Sequence, residues 1–320
     1  MRLIACSIKS EVICTVSLSI RQVNLQNDCF VAIDNLLHLL ILETPQVPLS
    51  QSVNDVPIGL LSAHFTGREK DLDLLEEMLD KVQSDRPGCA VVHGMPGIGK
   101  SQLLLRYAVK SIEGDRYSHV FWTSASSVDK LMNGLCKILD LVHPDRHIQD
   151  QSIKLTAARS WLEECSFKWL LIVDNVDTST LNFLRTNFPR NSRGNVLFST
   201  RTVVAAKALL DMARSPHSIL QLHALNIRDT TSLLFNDAGI DSTIITPSLL
   251  GLAEELVQSV GRLPLAVVQA ASYMKETDIS LGDMLKLYKS KDKMEVCALF
   301  SMFVNQVFMY GYRQFDGRVT

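Results

Sequence analysis

At 320 residues the chain is long enough to bury a substantial core, as two domains or as one large domain with appendages. With 47% hydrophobic residues, 21% charged residues and a formal net charge of -2, it has the composition of an ordinary soluble globular protein, neither disordered nor fibrous. That balance excludes the whole-chain basic field that would make nucleic acid the main partner, and no local basic patch replaces it, so no nucleic-acid role is expected.

Seven cysteines, scattered and without a C-x-x-C pair, predict reduced thiols in a cytoplasmic chain rather than disulfides or a zinc site. The apolar start Met1 to Cys6 is interrupted by Lys9, Ser10 and Glu11 before a signal-peptide core is complete, so no secretion signal is expected. The longest later apolar stretch, Leu36 to Leu42, contains His38 and is far too short to cross a bilayer, which leaves no membrane partner.

In chain order, residues 1–43 carry an alternating stretch, Val16 to Ile20, and a helical run from about Phe30 to Glu43. Pro45, Pro48 and Pro57, with Ser50, Ser52 and Asn54, read as a linker, and residues 1–55 stay unassigned. From Phe65 the pattern becomes regular, with helices expected at 68–84, 100–112, 128–141, 152–164, 178–187 and 203–213. Strands are expected at 89–93, 119–123, 169–173, 195–199 and 218–222. This is an α/β pattern, a parallel five-stranded sheet sandwiched by helices over residues 56–222. Cys89-Ala90-Val91-Val92 and Trp169 to Val173 are continuously apolar, as strands covered on both faces must be. Beyond Leu225 only helices are expected (227–238, 247–260, 264–275 and 280–290), making residues 223–290 a small all-helical subdomain. Residues 291–320 are an unassigned tail.

Gly94-Met95-Pro96-Gly97-Ile98-Gly99-Lys100-Ser101 matches G-x-x-x-x-G-K-[ST], directly after a buried strand and at the start of a helix. The glycines allow successive N–H groups to turn inward and cradle phosphate oxygens, and the following helix adds the positive end of its dipole. Lys100 then reaches the β- and γ-phosphates of ATP or ADP, and the Ser101 hydroxyl ligates Mg2+. Independently, the apolar strand Leu170 to Val173 ends in Asp174, the kind of carboxylate that holds the magnesium shell in P-loop proteins. The chain is thereby read as a P-loop NTPase.

Four further motifs follow in order. They are Phe65-Thr66-Gly67-Arg68-Glu69, Val120-Phe121-Trp122-Thr123, Asn195 to Arg201, and Gly261-Arg262-Leu263-Pro264-Leu265-Ala266. With the P-loop and the Asp174 strand they resemble the NB-ARC family of signal-transduction NTPases, in its fungal NLR-like branch, over roughly residues 64–285. The resemblance implies an ATP/ADP switch that works through protein partners or self-association. It also implies adenine contacts from the Phe65–Arg68 motif and from Pro264, a nucleotide-facing first helical turn that includes Gln102, and a γ-phosphate sensor at Arg201. Arginine suits phosphate because it stays charged. Asn175 stands where a second acid would orient the attacking water, so hydrolysis is expected to be slow or negligible. No winged-helix domain with an M-H-D motif follows before Thr320, so the chain reads as truncated, and rapid ADP exchange is expected. His217 and His223 are read as the only histidines near the sheet's C-terminal edge that could imitate the contact such a domain makes, though neither sits in a matching motif. A P-loop small-molecule kinase and a degenerate NLR-like product remain as alternatives.

Overall fold

The computed structural model describes residues 52–80, 87–190, 194–214 and 218–290. The expectations for residues 16–20 and 30–43, for Pro45 and Pro48, for His217 and for the tail from 291 lie outside these residues. The chain runs β1 (Val53–Asp55), a 3-10 turn (Ile58–Leu60), α1 (Glu69–Asp80), β2 (Gly88–His93), α2 (Lys100–Glu113) and β3 (His119–Ser124). It continues with α3 (Val128–Val142), α4 (Gln151–Glu164), β4 (Trp169–Val176), α5 (Leu181–Asn187), β5 (Asn195–Thr200), α6 (Val203–Ala213) and β6 (Ile219–Gln221). Four helices close the described part: α7 (Ile227–Ala238), α8 (Pro247–Ser259), α9 (Pro264–Thr277) and α10 (Leu281–Ser290).

Among the described residues all strand pairs are parallel, in the order β1-β3-β4-β5-β2-β6. The parallel α/β architecture is as expected, but the sheet has six strands where the sequence reading gave five. The additional strand is β1, which pairs Val53 with His119 and lies inside the stretch read as linker. Three residues beside Pro57 are too few to display a period. The expected helix 178–187 opens instead as a 3-10 turn, Thr178–Thr180, with the Asp177 carboxylate accepting from the Thr178 N–H, before α5 begins.

Alternation along the strands explains the two cores. Cys89 and Val91 of β2, with Trp169, Leu171 and Val173 of β4, pack under α3, α4, α5 and α6. Ala90 and Val92, with Leu170 and Ile172, face Leu75 and Leu79 of α1 and Leu103, Leu104 and Tyr107 of α2. β2 and β4 are buried on both faces along these stretches, which is why Cys89 to Val92 and Trp169 to Val173 are continuously apolar. The four closing helices share a third core, in which Leu234, Ala253, Val257, Val267 and Met284 are buried. These helices start on chain signals: Asn226 accepts from Asp229 N–H at α7, and Thr246 accepts from Leu249 N–H with Pro247 at the first position of α8. Among the described residues no helix is long and apolar enough to cross a membrane.

Candidate functional site

The phosphate loop leaves β2 at Gly94 and enters α2 at Lys100. Gly97 and Gly99 have φ of 78° and 98°, left-handed values that a side chain resists, so the sharp reversal needs glycine at both positions. Gly99 is the N-cap of α2 and makes no side-chain cap, which keeps the first-turn N–H groups of that helix available to an anion. Ile98 between them is buried, Met95 and Pro96 are exposed, and the Lys100 ammonium donates to the Gly94 carbonyl at 2.7 Å and the Met95 carbonyl at 3.0 Å. Burial, and then the Arg201 guanidinium, hold Lys100 below the ordinary lysine value, against an upward pull from Asp174. His93 at the end of β2 is held low by burial, with His223 and Lys100 adding to it. Lys100, Arg201 and the helix start thus form a positive pole that suits a polyphosphate.

Across the loop, the Ser101 hydroxyl donates to both oxygens of Asp174, at 3.0 and 2.8 Å. This is an all-oxygen donor pair that fits Mg2+, a hard cation that takes its remaining ligands from phosphate and water. Asp174 and Asn175 sit in a register shift between β4 and β5, and Asn175 has a left-handed φ of 62°. The Ser199 hydroxyl of β5 fills the gap, donating to Asp174 Oδ1 and accepting from the Asn175 N–H at 2.8 Å. Sequence reading missed Ser199. It stands within the Asn195 to Arg201 motif, but its role follows from the shifted pairing with β4. The Asp177 carboxylate is committed to capping the 3-10 turn that follows β4.

On the remaining side, Phe65 is half-buried against the α1–α2 core, and Arg68 donates to the Ile98 carbonyl at 3.0 Å and pairs with Asp71 at 3.2 Å. Gln102 does not project freely. Its amide donates to the Leu60 carbonyl at 2.9 Å and accepts from the Ser62 N–H at 2.8 Å, fixing the segment before Phe65. Pro264 opens α9, whose N-cap Leu263 supplies no capping side chain, and the Leu265 N–H donates to the Gly97 carbonyl at 3.2 Å. The start of α9 therefore rests directly on the phosphate loop, a contact that no sequence signal displays. His223 is exposed and lines, with Arg68, Asn226 and Asp229, a cleft of about 330 Å³. The structure brings together Gly94 to Ser101, Asp174, Asn175, Arg68 and Pro264, and Arg201 lies near Lys100 at the end of β5.

A glycine-rich loop from a buried parallel strand into a helix, facing a strand-end carboxylate, defines a P-loop nucleotide-binding protein. Residues 64–199 match the AAA ATPase domain family. An NLR-like protein of Hyaloscypha variabilis is 24% identical over 252 residues, 73% of this chain and 24% of that protein. Disease resistance protein UNI of Arabidopsis thaliana is 26% identical over 201 residues, 61% of this chain and 22% of that protein. The chain thus spans about a quarter of the length of these curated relatives. Among solved structures, the Walker-type ATPase of Pyrococcus abyssi aligns at 13% identity and a TM-score of 0.49, covering 78% of this chain and 77% of that one. The resemblance to the NB-ARC NTPases that the motifs carry is borne out by the ATPase-domain match and by the NLR-like and disease-resistance relatives.

Proposed function

We propose that the chain is an ATP/ADP-binding switch of the NB-ARC signalling type, in which the nucleotide sets how the helical subdomain rests on the phosphate loop. The observation that carries this reading is the hydrogen bond from Leu265 N–H at the start of α9 to the Gly97 carbonyl. A ligand shifts a conformational equilibrium only through a differential contact. This contact joins the loop that would hold the phosphates to the element that would move.

In this reading Gly94 to Gly99 cradle the phosphates, Lys100 neutralises them, and Arg201 answers the γ-phosphate. Ser101 and Asp174 would hold Mg2+, which would offset the charge of the phosphates. Phe65 and Pro264 supply apolar surface to the base, and Gln102 shapes the base side through the Leu60–Ser62 segment. Asn175 offers an amide where hydrolysis needs a base, so turnover is slow and the bound state, rather than the product, carries the signal. Signalling then passes through protein partners or self-association of the NB-ARC region, in the cytoplasm.

Thermal shift with Mg2+-ATP tests the reading. The parent gains stability by mass action, about 2.7 kcal/mol at a hundredfold excess over Kd. Lys100→Ala, which removes an ammonium from the first residue of α2 and nothing from either core, melts near the parent without ligand and gains nothing with it. Equal ligand shifts in both proteins contradict the assignment.

A further inference from the structure

The Arg68 side chain is 8% exposed, and both of its terminal nitrogens are engaged, one by the Ile98 carbonyl and one by Asp71. Its backbone is left-handed, at φ 74°, directly after Gly67 at φ 67°. A long side chain rarely takes that conformation, and such strain persists where surrounding contacts fix it. What the strain delivers is the guanidinium at one carbonyl of the phosphate loop.

That carbonyl belongs to Ile98, whose neighbours on both sides, Gly97 and Gly99, are left-handed and whose own side chain is buried. Residue 98 is thus gripped twice, by the core through its side chain and by Arg68 through its oxygen. In a planar trans peptide the C=O and the following N–H point in opposite directions. Holding the Ile98 oxygen on Arg68 therefore turns the Gly99 N–H away from Arg68, and it removes a carbonyl dipole that would repel an anion in the loop.

We infer that Arg68 is a positioning residue for the phosphate loop, acting on nucleotide affinity through Ile98 and not by reading the base. The inference rests on the proposed nucleotide site. It differs from what the NB-ARC resemblance implies for this motif, a contact with adenine. Asp71 aims the guanidinium from within the first turn of α1, at 3.2 Å.

The test measures Mg2+-ATP and Mg2+-tripolyphosphate, a ligand without a base, by calorimetry on the full chain and on R68M and R68K, with ligand-free melting alongside. R68M keeps the apolar stem and removes both donors. It is expected to weaken both ligands by the same factor, on the order of tenfold. R68K returns one donor within reach of Ile98 and recovers part of the affinity for both. If R68M melts away without ligand, the R68K ratio of the two losses decides by the same criterion. Loss of ATP affinity with tripolyphosphate untouched, or no loss for either ligand, overturns the inference. So does a parent that binds ATP but not tripolyphosphate. A parent that binds neither ligand overturns the nucleotide site itself, and is distinguished by showing no heat before any substitution is made.

Discussion

His119 opens β3 with a side chain that is 1% exposed, and neither ring nitrogen has a hydrogen-bond partner. The rings of Trp161, Phe167 and Phe121 surround it at 5.4, 5.6 and 6.2 Å. Burial pushes its pKa below the ordinary value, so the fold prefers neutral imidazole. The unfolded chain takes up the proton near pH 6.5 and the folded one only at lower pH, so stability present above about 6.5 is lost as pH falls through it. His93 and His143 are lowered in the same direction and add to the loss. His119→Phe is expected to flatten the stability curve between about pH 7.5 and 5.5 by up to roughly 1.4 kcal/mol per pH unit. Urea unfolding at the two pH values checks this, and an unchanged slope contradicts it. Ser199 has consequences of a different kind. Replacing it by Ala strands the Asn175 N–H and leaves Asp174 with the Ser101 hydroxyl but without that of Ser199, costing about 1 to 3 kcal/mol of stability. It should also weaken ATP binding in Mg2+ more than in EDTA. Equal losses in both conditions would show that Ser199 only stabilises the strands.

Among the elements, α9 reveals how the fold and the site share parts. Its first turn lacks a side-chain cap, and the Gly97 carbonyl takes one of the N–H groups left over. A Cβ on Gly97 would stand 3.1 Å from the Leu265 Cβ, at a φ of 78°. Gly97→Ala therefore strains the loop and pushes against α9, costing roughly 1 to 2 kcal/mol. ATP affinity and denaturant midpoint should fall together, and a variant that loses neither removes this contact from the account. These elements were unequally legible in the sequence. β2 and β4 announce themselves because both of their faces are buried, and the phosphate loop because its chemistry demands adjacent residues. β1 is three residues long and depends on β3 for its existence. Gln102, Arg68 and Ser199 are visible as residues, but their partners lie 40, 30 and 25 positions away, where no local period reaches.

At the scale of the molecule, two cores on either side of a parallel sheet hold the phosphate loop, while a third core belongs to the helices that meet it. Hydrogen–deuterium exchange of the full chain, without nucleotide and with saturating Mg2+-ATP or Mg2+-ADP, tests the central claim that one site couples these bodies. The predicted result is protection of residues 94–102 by both nucleotides, with the 264–268 turn protected to different extents by ATP and ADP. Exchange in both segments that is the same with and without nucleotide would contradict it.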